Sequence, residues 1–170
     1  GLHGVGISVV NALSSKLVAE VHKDGKVYRQ TYERGVPTTE LEVVGKTDHT
    51  GTTISFWPDD QIFQVTTLEY DWVVDYLRHQ AYLTKGVKTT VYDERTGDDY
   101  SFYFEGGIQS YVRHLNIGKD VVGDKVFYVE KQIEDVMVEV AIQYNDSFNE
   151  TVKAFANNVF NPDGGTHLVG

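Results

Sequence analysis

The sequence contains no cysteine. That excludes a disulfide framework and a thiolate metal site, and it fits a reducing compartment without requiring one. Basic residues are in deficit: 15 Lys and Arg stand against 25 Asp and Glu, a net charge of -10. A surface that grips nucleic acid by itself is usually basic, so this balance argues against such a surface on this chain. No apolar run approaches the roughly 20 residues that a membrane-spanning helix needs. The first residues show neither the basic n-region nor the apolar core of a signal peptide. There is no internal repeat, no low-complexity stretch and no His-x-x-x-His spacing that would suggest a metal site.

The residues that are present form an ordinary globular mixture of 41% hydrophobic and 24% charged positions over 170 residues, enough for one domain or one and a part. The pattern predicts a helix opening inside Gly1 to Leu13, where Val9, Val10 and Leu13 recur at helical spacing. Strands follow over 17–22 and 27–33, joined by the tight-turn pair Asp24-Gly25. Further strands are expected over 40–44 and 51–57, the last stopped by Pro58. A long helix is expected over 67–83, with Leu68, Trp72, Tyr76, Leu77 and Ala81 on its core face. Then come strands at 87–94 and 99–105, a short helix at 108–115, paired strands at 125–131 and 136–144, a strand at 151–159, and a helix that Thr166 caps. The class is α+β, mainly antiparallel hairpins with helices laid on the sheet. The break at Glu105-Gly106-Gly107 divides the expected domains, 1–105 and 106–170.

The stretch richest in chemical meaning is the first, GLHGVGISVVNALSS. Gly4 and Gly6 let the backbone approach a ligand closely, and a helix N-terminus offers free N–H groups to phosphate oxygens. The competing reading is a turn that lets the helix pack tightly. The stretch lacks the Gly-Lys-Ser/Thr of a P-loop, and no strand precedes it as in a dinucleotide fold.

This stretch resembles the third ATP-binding motif of the ATPase subunits of type II DNA topoisomerases, gyrase and topoisomerase IV. They belong to the gyrase, heat-shock chaperone, histidine-kinase and mismatch-repair ATPase superfamily. HTGTTISFWPD (49–59) resembles the family's threonine-bearing strand, and YFEGGIQSYVRHLN (103–116) its passage into the transducer domain. VEVAIQYND and NNVFNPDGGTHLVG resemble the transducer's strands and its next helix. The wording of FEGGIQSYVRHLN leans to gyrase.

The resemblance implies the C-terminal part of a Bergerat-type ATPase sandwich over 1–105 and the first part of a transducer domain over 106–170. It implies that the backbone N–H groups of Leu2, His3, Gly4, Val5 and Gly6 hold the β- and γ-phosphates of ATP. Thr52 would support an adenine-reading Asp located upstream. The catalytic Glu and the Mg²⁺-binding Asn are expected upstream, so no catalytic residue and no metal ligand is assigned here, and the chain alone should not hydrolyse ATP. The implied partners are ATP, DNA, the gyrase protein that cleaves DNA and a second copy of the ATPase region, in the cytoplasm and without a membrane. A different class of function is a non-catalytic folding or interaction module. Lys23 stands where gyrases often place Arg, and a surface role is preferred for it. His3 is expected to shape the lid or touch phosphate rather than act as a base. Asp59-Asp60 is expected in a solvated loop, and Trp72 and Tyr76 in the core.

Overall fold

A computed structural model describes residues 4–169. It is a mixed α+β structure with antiparallel sheets and few helices. The chain forms two compact units, divided between Thr67 and Leu68.

The first unit opens with helix α1, Gly6–Ala12, which begins inside the glycine-rich stretch. Strands β1 (Ser14–Lys23) and β2 (Lys26–Glu33) pair antiparallel around Asp24-Gly25. Both turn residues have positive φ, 52° and 73°, the type I′ geometry whose twist matches the flanking strands. Three further strands, β3 (Val36–Pro37), β4 (Glu42–Lys46) and β5 (Gly51–Pro58), complete the sheet. Its order is β3-β2-β1-β5, and β4 also pairs with β2.

This unit's buried hydrophobic residues are few, Leu17 and Val27, and polar groups share the interior. The Ser14 hydroxyl donates to the Val10 carbonyl at 2.6 Å. Asp59 is fully buried and its carboxylate accepts from Arg34 Nε at 2.5 Å and from the Gln61 N–H at 3.0 Å. This corrects the expectation of a solvated Asp59-Asp60 loop for the first of the two residues. The Asp59 N–H donates to the Leu13 carbonyl and the Arg34 N–H to the Ser14 carbonyl, at 3.1 and 2.9 Å. One buried carboxylate and its neighbours therefore tie the end of α1 to the ends of β2 and β5, because a buried charge persists only when paired and hydrogen-bonded.

The second unit begins with α2, Tyr70–Leu83, followed by the hairpin β6 (Thr89–Asp93) and β7 (Asp98–Phe102). Val74 and Ala81 on α2 pack with Val91 and Phe102, and Tyr70, Val73, Leu77 and Phe104 close around them. The expected core face is thus rotated. Leu68, Trp72 and Tyr76 are exposed, and the two aromatic rings stack on each other at 5.6 Å. The residues of α2 that are buried instead are Val74, Ala81 and Tyr82.

Helix α3, Gly107–Leu115, leads into the long hairpin β8 (Val121–Ile133) and β9 (Val136–Asn145). Tyr82 of α2 stacks on Phe104 at 3.9 Å and on Tyr111 of α3 at 5.1 Å. The sequence-based division at 105/106 therefore lies inside this unit, with stacked rings on both sides of it. Asn116 links α3 to the hairpin, donating to Gln143 at 3.1 Å and accepting from Asn145 at 2.7 Å.

The strand expected over 151–159 is instead a small hairpin, β10 (Phe155–Ala156) and β11 (Val159–Phe160). Asn157 and Asn158 form its turn with φ of 48° and 62°, so the chain reverses where continuous strand was expected. Helix α4, Thr166–Val169, closes the described chain.

Candidate functional site

Of the residues expected to hold phosphate, Leu2 and His3 lie outside the described residues. Gly4 has φ +63°, a left-handed conformation that a Cβ would strain. Val5 is the residue preceding α1, no side chain caps that end, and the first turn holds no acidic residue. Among the described residues, nothing comes within 4 Å of where a Cβ would stand at Gly4 or Gly6. No close packing among the described residues requires a glycine at either position, and the positive φ of Gly4 suits a turn as well as a ligand loop. Open space and free N–H groups suit close approach of a ligand's oxygens.

A hollow of about 190 Å³ lies between α1 and the sheet, lined by Ile7, Ser8 and Asn11 of α1, Leu17 and Ala19 of β1, Tyr32 and Ile54. The Oδ1 atom of Asn11, one of these lining residues, is buried without a hydrogen-bond partner among the described residues. Such a group is costly to leave unmade and marks a place where a donor is wanted. Residue pattern did not single out Asn11, since an Asn inside a helix also reads as solvent-facing.

Thr52 sits on β5 opposite Val21. Alternation along a strand puts Thr52 on the same face as Ile54, the face of the hollow. The structure thus gathers Gly4, Val5, Gly6 and Thr52 into one unit with α1 over the sheet. Lys23 is exposed at the hairpin end, as a surface lysine should be. His22 and His49 stack at 4.6 Å, with Thr47 Oγ1 within 2.9 Å of His22 Nδ1 and 3.1 Å of His49 Nδ1. Among the described residues, no group of three His, Cys, Asp or Glu side chains could hold a metal ion.

Comparison with known proteins decides which family this architecture resembles. Residues 107–170 match the DNA gyrase B family model. The DNA gyrase B protein of Campylobacter jejuni is 49% identical over 170 residues, all of this chain and 22% of that protein. Similarity to this gyrase B protein runs along the whole chain. The gyrase B protein of Bacillus mycoides is 46% identical over 172 residues, again covering the whole chain and 43% of the relative.

Among solved structures, the 43K ATPase domain of Thermus thermophilus gyrase B in complex with an aminocoumarin superposes with a TM-score of 0.89. It is 36% identical, and the match covers 99% of this chain and 46% of that one. The gyrase B protein from Myxococcus xanthus gives a TM-score of 0.88 at 22% identity, a likeness of fold. The chain spans 22% and 43% of the two gyrase B relatives and 46% and 48% of the two solved chains.

Proposed function

We propose that this chain is a stretch of the ATP-hydrolysing subunit of a bacterial type II DNA topoisomerase of the gyrase kind, and that it supplies the phosphate-holding loop and the link from nucleotide to gate. The observation that carries the first role is the open space beside Gly4 and Gly6 at an uncapped turn. The glycines serve something outside the chain's own packing. Backbone N–H groups of residues 2–6 would donate to the β- and γ-phosphates. The Thr52 hydroxyl, on the same strand face as Ile54, would hold an upstream Asp in position to read the adenine amine. When bound with Mg²⁺, ATP supplies the phosphoryl group whose transfer is driven by positioning and by stabilisation of charge. The groups expected to activate water and to bind the metal lie upstream.

The second role rests on where the family model begins. Its match opens at residue 107, at the Glu105-Gly106-Gly107 junction. Residues 106–170 would form the first part of the transducer, passing the nucleotide state toward the gate. In the intact enzyme the partners would be DNA, the DNA-cleaving gyrase A protein and a second copy of the ATPase region, in the cytoplasm. No helix among the described residues is long and apolar enough to cross a membrane.

Phosphate release tests the assignment. The purified 170-residue chain should show no turnover with ATP and Mg²⁺, whereas a gyrase B-length protein containing it should hydrolyse ATP. Removing a general base or a charge-stabilising group costs about 3–5 kcal/mol of barrier for each group. Turnover by the short chain at the rate of the longer protein would place the base within it and defeat the assignment.

A further inference from the structure

The β8–β9 hairpin sets Glu130 directly opposite Glu139. Like charges in that position destabilise a strand pair. A bridge from another element relieves it. Lys85, just past the end of α2, reaches across so that its Nζ lies 2.9 Å from Glu130 Oε2. The Tyr128 hydroxyl donates to the same Glu130 oxygen at 2.6 Å and lies 3.2 Å from Glu139 Oε2. The lysine stem runs over Gly107. A Cβ at Gly107 would stand 3.2 Å from Lys85 Cβ, 3.5 Å from Lys85 Cδ and 3.7 Å from the Tyr82 carbonyl oxygen, and its φ of +52° already disfavours any side chain. Gly107 is thus the place where the first turn of α3 leaves room for the strap.

We propose that Lys85, Glu130, Tyr128 and Glu139, with the gap at Gly107, form a strap that fixes the angle between α2 and the β8–β9 hairpin. The stacked rings of Tyr82, Phe104 and Tyr111 already hold α2 to α3 at this joint. The strap closes it from the side, through a charge-assisted bridge about one side chain long. Its ends are partly exposed, so salt loosens it by screening. Burial, the bond to Glu130 and the nearby Glu139 push the Tyr128 phenol up to about 12, while the Lys85 charge pulls it down. The proposal concerns only residues 68–169 and holds whether or not the nucleotide reading does.

The absence of cysteine makes a direct test clean. Spin labels at Asp71→Cys and Asp135→Cys in the full chain report the distance from α2 to the hairpin tip. The expected result is a single narrow distance, replaced by a broad distribution in Lys85→Met and restored in Lys85→Arg. Glu130→Gln serves as the second variant, and should broaden the distance and lower the Tyr128 ionisation from the wild-type value in ring-resolved NMR, since one of the groups that raise it is removed. An unchanged distance distribution in folded Lys85→Met or Glu130→Gln overturns the proposal. So does broadening in Lys85→Met that Lys85→Arg fails to restore.

Discussion

Asp93 closes the β6–β7 turn with Arg95, whose guanidinium and backbone N–H both donate to its carboxylate, at 2.5 Å from the NH2 group and 2.9 Å from the backbone. The same guanidinium donates to the Leu68 carbonyl at 3.0 Å, so one side chain holds the start of α2 against the turn. Arg95 hydrogen bonds hold the Asp93 carboxyl down at about 2. A folded value below the unfolded one stabilises the fold at all pH above the unfolded value of about 4. That stability is lost as pH falls through about 2. Unfolding free energy measured between these limits should fall steeply with acid in the wild-type chain and less steeply in Asp93→Asn. Equal slopes would show that the turn is not held by this carboxylate.

Asp59 makes a second residue-level case. Arg34 and then the Gln61 N–H hold its carboxyl below the usual carboxylate range. Its removal in Asp59→Ala leaves Arg34 hydrated, since that side chain is half exposed, but unties three chain segments at a fully buried point. The thermal midpoint should drop by at least about 4 °C. Arg34→Ala should cost as much or more, because it leaves the buried charge without its partner.

Among the elements, α2 separates what pattern can show from what it cannot. Its existence and its end were legible in the helical spacing, and Leu77 and Ala81 do face the interior. Its orientation was not, because Trp72 and Tyr76 fall on an equally apolar arc and which arc is buried depends on partners distant in sequence, Val91 and Phe102. Phe102→Ala should therefore destabilise by about 3–5 kcal/mol and Trp72→Ala by no more than about 0.5 kcal/mol, as urea unfolding can measure. Similar losses in both would return Trp72 to the core face.

The Asp24-Gly25 hairpin was legible because its turn chemistry is local. The Asn157-Asn158 turn was missed because its strands are two residues each, too short for alternation to register. At the site, Gly4, Gly6 and Thr52 were singled out by the family wording. Asn11 and Asp59 were not, since burial of a polar group depends on partners distant in sequence: Arg34 lies 25 positions from Asp59.

As a whole molecule, the chain divides where no composition break marked it, between Thr67 and Leu68. The glycine pair at 106–107 is conspicuous in sequence yet sits among stacked rings from α2 and α3. The net charge of -10 argues against a surface that grips nucleic acid by itself.

Whether the first glycines hold phosphate is decided by nucleotide affinity in a gyrase B-length protein carrying Gly4→Ala or Gly6→Ala. Neither position has a neighbour within 4 Å among the described residues, so a Cβ disturbs no packing there, although Gly4 also carries positive φ. Affinity for a non-hydrolysable ATP analogue should fall at least about three-fold in each variant while circular dichroism stays that of the wild type. Unchanged affinity in both would mean that the loop is only a turn into α1.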